Sequence, residues 1–198
     1  TTKEKIFGVP RLWDSAANPV PLCAGCQHGV IIAMIVDVIE ELGMGDNAIV
    51  VNGAGCNSIP YAGYRIDGVL GGHGRPPDVA TGVKRVHPDA LVFTVQGDGD
   101  LLAIGADPLL GVVARGEKFT IIMLNNTCYG STGGQLAPTT LVGQVTPTSP
   151  YGRKSDEGYP LHAAEFLAQF KSVAYSARGA VNTPANFQRS KRYIRTAF

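Results

Sequence analysis

Two short polar clusters could do chemistry: Gly97-Asp98-Gly99-Asp100 and Asn125-Asn126, each directly behind an apolar, β-rich run. Ligands of a doubly wound sheet sit beyond the carboxyl ends of its strands. A right-handed crossover sets consecutive parallel strands side by side or nearly so. Asp98 and Asn126, 28 residues apart, are therefore expected to face one crevice with a carboxylate and an amide oxygen. Such hard ligands suit Mg²⁺ or Ca²⁺. With one formal charge they cannot complete a cage, and Mg²⁺ commonly fills its shell with water and phosphate oxygens. Gly97 and Gly99 leave backbone N–H groups accessible, and a helix starting near Leu101 points its N-terminus at the crevice, favouring an anion. Alone, each cluster reads as an ordinary turn; together they predict a site for a magnesium diphosphate.

A second group is Cys23-Ala24-Gly25-Cys26 with a lone Cys56 downstream; Cys128 is the fourth cysteine. No strand leads into the CxxC, so the layout is not thioredoxin-like. A structural zinc site and plain buried thiols both fit it. In an intracellular chain, such cysteines read as ligands or thiols rather than disulfides. His73 stands in a Gly-rich loop before Arg75. It could bond a diphosphate or a substrate carboxylate, or simply pair with backbone. His87 and His162 have no evident site.

These residues need a scaffold, and the apolar pattern supplies one. Pro10, Pro19 and Pro21 rule out a continuous helix in an N-terminal arm over 1–21. The run after His28 has helical periodicity and stops at Gly43 and Gly45. Strands are expected at 48–51, 91–95, 119–124 and 173–178, and helices at 78–86, 101–115, 160–170 and 184–196. The strand at 119–124 is apolar after Thr120, so burial on both faces is expected. Residues 57 to about 77 read as loop, and 130–158 as a long loop of the kind that is usually functional or disordered. Strand and helix alternate, which makes the fold class α/β, a doubly wound, mostly parallel sheet. The 198 residues are expected to form a single domain.

Bulk properties exclude some classes. A net charge of +1 and the absence of a dense basic cluster argue against nucleic acid; Arg189–Arg195 reads as a solvated helix end. The longest apolar stretch, Val30–Val38, is interrupted by Asp37 and falls far short of the roughly 20 residues of a span. The first residues lack the features of a signal peptide, so no membrane association and a cytoplasmic location are expected.

GDG at 97–99 followed by Asn125-Asn126 resembles the diphosphate motif of the thiamine-diphosphate enzymes. The resemblance implies a fold of that binding type, with Mg²⁺ held by Asp98, Asn126 and the backbone carbonyl of Cys128. Gly97, Gly99 and Asp100 would shape the phosphate cradle. Gly55, His73, Gly130 and Ser131 would line the cofactor site, Ser131 near the thiazolium. Adding the cysteines narrows the resemblance to the subunit of 2-oxoacid:ferredoxin oxidoreductases that carries this motif. Cys23, Cys26 and Cys56 match three ligands of that family's [4Fe–4S] cluster, a chemically reasonable thiolate set. HGR at 73–75, ATGVKR at 80–85, QGDGDLLAIG, YGSTGGQ, APTTL and TSPYGR look like the branched-chain (2-oxoisovalerate) type.

The implied reaction is oxidative decarboxylation of a 2-oxoacid with coenzyme A to an acyl-CoA and CO₂, with electrons leaving through the cluster to ferredoxin. The implied partners are an alpha subunit, which supplies the activating glutamate, and gamma- and delta-type subunits. No catalytic side chain is assigned in this chain. His28 is expected to cap a helix or support the cluster. The family's fourth cluster cysteine has no counterpart here, which implies either a fragment or split subunit or a cluster that is incomplete or lost; Cys128 is a poor substitute because Asn126 beside it belongs to the diphosphate crevice. A non-redox thiamine enzyme and a non-catalytic fragment remain the alternatives.

Overall fold

The computed structural model describes residues 10–13, 22–58 and 65–198; most of the expected arm lies outside them. Helix α1 (His28–Glu41) carries Ile32, Ile35 and Ile39 on one face, and it ends at Gly43, whose φ is +66°. Strand β1 (Ala48–Asn52) follows, then β2 (Asp67–Leu70). Helix α2 (Pro76–Val86) opens on two prolines, whose missing N–H groups cost nothing in a first turn. Strand β3 (Leu91–Gly97) runs straight into a helical turn that includes a π-helical stretch, Asp100–Ile104. Helix α3 (Ala106–Arg115) and strand β4 (Thr120–Leu124) come next. After them lie a small hairpin, β5 (Cys128–Tyr129) with β6 (Gln135–Leu136), a long loop, the short helix α4 (Ala163–Leu167) and α5 (Pro184–Ala197).

The main sheet is parallel throughout, in the order β2-β1-β3-β4. Alternate side chains of each strand serve two layers. Val50, Phe93, Val95 and Leu124 meet Ile32, Ile35 and Ile39 of α1, with Ile194 and Phe198 of α5 packed against them. Val51 and Val92 meet Ala80 of α2 on the other face, while Ile121 and Met123 pack on the Leu109 and Val113 cluster of α3. Helices on both faces make the sheet doubly wound, as expected from the sequence.

Four sequence expectations change. Strand β2 lies within the stretch read as loop. The segment 173–178 is not a strand; Val173 packs on the α3 cluster instead. Helix α4 is half the expected length, beginning only after Pro160. Strand β4 is half-buried except at Leu124, because it pairs only with β3 and stands at the edge of the described sheet.

Candidate active site

Strand register decides which loops meet. Gly97, last in β3, pairs with Leu124, last in β4, so Asp98 and Asn125-Asn126 leave the sheet together. Asn52, last in β1, pairs with Val95, which brings the turn 53–57 to the same edge. This is the point where strand order reverses, between β1 and β3, and where open α/β sheets form their crevice.

A cleft at that edge is lined by Gly55, His73, Gly97, Asp98, Gly99, Asp100, Asn126, Cys128, Gly130 and Ser131. Those are all the residues the sequence nominated for the cofactor. His28, Ala54, Cys56, Asn57, Tyr129 and Thr132 complete the lining.

Asp98 is buried, at 1 % exposure. Burial pushes its carboxyl up from the usual range, opposed by the Thr139 hydroxyl and by backbone N–H groups of Asp98, Gly99 and Asn126. Thr139 Oγ1 donates to Oδ2. On the other side, the Asn126 amide reaches Asp98 Oδ1 at 3.0 Å and the Cys128 carbonyl oxygen at 2.8 Å; both are acceptors, so Nδ2 faces them and donates to both. Turned over, the same amide would present Oδ1 beside those two oxygens. The spot thus takes either an N–H or a cation. Mg²⁺ with oxygens at about 2.1 Å sets neighbouring ligands about 3 Å apart, and the donor set fits that ion. Gly97, where a Cβ would have no atom within 4 Å, leaves the cleft floor open to a phosphate.

Asp100 has a different task from the one its position suggests. Its Oδ1 accepts from Gly74 N at 2.7 Å and is paired with His73 Nδ1. Its Oδ2 accepts from Gln96 Nε2 at 2.8 Å. Both oxygens are committed within the protein, so Asp100 anchors the 73–75 loop rather than reaching for phosphate, and Nε2 is the His73 nitrogen left for a ligand. The loop needs glycine at 74: φ is +77°, and a Cβ would stand 2.6 Å from the backbone of Ile104.

His28 does not cap α1, since the cap residue is Gln27 and no side chain caps that end. Its imidazole is buried, both nitrogens lack a hydrogen-bond partner among the described residues, and burial lowers its pKa, which favours the neutral ring. Asn57 Oδ1 in the same cleft is likewise buried and unpartnered.

The four cysteines are free thiols, Cys23 exposed and the others half-buried. Burial raises the Cys56 pKa first, and the charges of Cys26 and Cys23 add to it, which puts these three in one neighbourhood. Cys128 is raised by burial, then by Asp98 and Cys56. Among the described residues, no group of three His, Cys, Asp or Glu side chains converges as a metal cage.

The sequence reading missed Asn57, Tyr129, Thr132 and, above all, Thr139. Thr139 lies 41 residues from Asp98, and no local spacing links them.

A doubly wound sheet with a polar cleft at its switch point defines a ligand-binding α/β domain. Residues 45–197 match the thiamine pyrophosphate enzyme, C-terminal TPP binding domain, and the chain belongs to that family. Its relatives are 2-oxoacid:ferredoxin oxidoreductase subunits. The ketoisovalerate oxidoreductase subunit VorA of Methanothermobacter thermautotrophicus is 41% identical over 188 residues, 94% of this chain and 39% of that one. The 2-oxoglutarate synthase subunit KorB of Archaeoglobus fulgidus is 39% identical over 134 residues, 68% of this chain and 50% of its own. A solved 2-oxoglutarate:ferredoxin oxidoreductase from Magnetococcus marinus, with 2-oxoglutarate, coenzyme A and succinyl-CoA bound, matches with a TM-score of 0.73 and 28% identity, over 80% of this chain and 53% of that one. The chain therefore spans about half or less of the length of these relatives.

Proposed function

We propose that this chain is the thiamine-diphosphate-binding part of a 2-oxoacid:ferredoxin oxidoreductase, acting in the cytoplasm with an alpha subunit and further gamma- and delta-type subunits. The reaction is oxidative decarboxylation of a 2-oxoacid with coenzyme A, giving an acyl-CoA, CO₂ and two electrons for ferredoxin. A branched-chain 2-oxoacid is the favoured substrate, on the strength of the 41% identity to the ketoisovalerate subunit. The observation that carries the reading is the convergence in one cleft of the Asn126 amide, which offers Oδ1 when turned over, with Asp98 Oδ1 and the Cys128 carbonyl.

In this reading those three oxygens hold Mg²⁺ against the cofactor diphosphate. Thiamine diphosphate, when bound, supplies the carbon nucleophile and the electron sink that a 2-oxoacid needs to lose CO₂. The chain's own groups bind and orient. The N-terminus of the helical turn that follows Gly97 favours the phosphate charge, while the Gly99 N–H serves the Asp98 carboxylate. His73, fixed by Asp100 through Nδ1, offers Nε2 to the cofactor or substrate. Gly55, Gly130 and Ser131 form the wall. Cys23, Cys26 and Cys56 supply thiolates for a [4Fe–4S] cluster, with the fourth ligand outside the described set; single-electron passage to ferredoxin requires such a centre.

Iron, acid-labile sulfide and thiamine diphosphate are to be measured on the anaerobically isolated complex, with all its co-purifying subunits. Iron that falls by about four per chain in Cys23→Ser and Cys56→Ser, beside magnesium-dependent thiamine diphosphate binding, is expected. Cofactor binding in a complex that holds no iron would instead identify a non-redox thiamine enzyme, and iron unchanged in both variants would remove the cluster from these cysteines.

A further inference from the structure

We infer that Thr139 is a positioning residue for the metal: its hydroxyl fixes the Asp98 carboxylate so that Oδ1, and not Oδ2, faces Asn126. This rests on the magnesium reading above and gives a role to a threonine of the APTTL segment that lies 41 residues from Asp98.

Thr139 is 3 % exposed and Asp98 1 %, and the Thr139 Oγ1–H donates to Asp98 Oδ2. A carboxylate has two equivalent oxygens and rotates about one bond. Capping Oδ2 with a donor fixes the rotation of the group and keeps Oδ1 on the Asn126 side. The cap is itself held. The Thr140 hydroxyl donates to the Thr127 carbonyl at 2.6 Å and accepts from Ala137 N at 2.8 Å. Gln144 Nε2 donates to Thr127 Oγ1 at 2.9 Å.

Thr127 lies between Asn126 and Cys128 with φ +61°, a conformation costly for a β-branched residue and kept only where neighbours enforce it. Arg153, 5 % exposed, fastens the same segment through the carbonyls of Thr140 and Pro138. One loop, 137–153, thereby braces two of the trio's ligating segments: Asp98 through Thr139, and the 126–128 turn through Thr140 and Gln144. Outer partners of metal ligands work in this way in general.

Mn²⁺ serves as the probe, titrated into the complex with thiamine diphosphate and read by its electron paramagnetic resonance, with thermal midpoints taken in parallel. Thr139→Val, which keeps the shape and removes the donor, is expected to weaken Mn²⁺ binding roughly 10- to 100-fold, while Thr139→Ser restores it to near wild type. If Thr139→Val does not fold, Thr139→Ala takes its place. Wild-type Mn²⁺ affinity in the folded valine or alanine variant, whatever its midpoint, would overturn the inference and leave Thr139 a plain buried hydrogen-bond partner. Asp98→Asn separates the two levels: if it binds Mn²⁺ as the wild type does, the magnesium reading itself fails and the inference with it.

Discussion

The Asn126 side-chain amide reaches Asp98 Oδ1 at 3.0 Å, at the adjacent ends of two parallel strands. With Nδ2 inward it donates to the carboxylate; turned over, it offers an oxygen to a cation. Asn126→Ala removes the proposed ligand and leaves the Asp98–Thr139 bond intact. Its expected effect is a loss of magnesium-dependent thiamine diphosphate affinity of at least tenfold, with little change in fold. Calorimetric titration of the complex at fixed Mg²⁺ checks it, and unchanged affinity would remove Asn126 from the site.

Gly130 lies under that amide: a Cβ there would stand 2.8 Å from Asn126 Nδ2 and 3.3 Å from Cys56 Sγ. Both obstacles are side-chain ends that can move. Gly130→Ala should therefore cost no more than about 1 kcal/mol of stability while turning the amide away from Asp98. The expected pattern is a near-normal melting curve with weakened metal binding; a large loss of stability would show that the wall cannot yield.

Gly74→Ala sets the opposite case. A positive φ and the Ile104 backbone at 2.6 Å leave nothing free to shift, so a destabilisation of about 2 kcal/mol or more is expected. Chemical denaturation measures it, and His73 should lose its place beside Asp100 in the same variant.

The His28 imidazole gives a pH dependence. Its pKa is lowered by burial, so between the folded value and the ordinary one the unfolded chain binds the extra proton. Its contribution to stability is thus intact above the ordinary histidine range and is lost as pH falls through it. Thermal midpoints of wild type and His28→Leu, compared from about pH 8 down to about pH 5.5, should shift in favour of the variant as the pH drops. A constant difference would mean that the ring is not held neutral.

Helix α5 is tied to α1 through Lys191, which pairs with Asp37 and with Glu41 at 2.8 Å. The ammonium is only 18 % exposed; burial lowers its pKa, and the two carboxylates more than offset this, raising it overall. Lys191→Met is expected to cost about 1 kcal/mol, less at high salt, as read from denaturation midpoints at two ionic strengths.

Local pattern was enough where the physics is local. The period of Ile32, Ile35 and Ile39 specifies a helix with one buried face. The apolar runs before Asp98 and Asn125 specify strands, and the polar residues behind them must then emerge at one end of a parallel sheet. The ten cofactor nominees follow from that argument and the family resemblance, and all ten line one cleft. What fails has an equally physical cause. Val173–Arg178 has a strand-like composition but no strand partner, and the burial of a strand depends on which neighbours cover it, which is why β4 is drier in pattern than in place.

Composition and spacing by themselves determined the fold class and the pairing of Asp98 with Asn126, while the grouping of Cys23, Cys26 and Cys56 is what the family resemblance implies. Only tertiary structure decided that Asp100 spends both oxygens on the 73–75 loop and Gln96, that His28 is buried without a partner among the described residues, and that Thr139 holds Asp98. Hydrogen bonds across 26 or 41 residues leave no periodicity in a chain; they exist only once sheet register and loop packing have brought the atoms together.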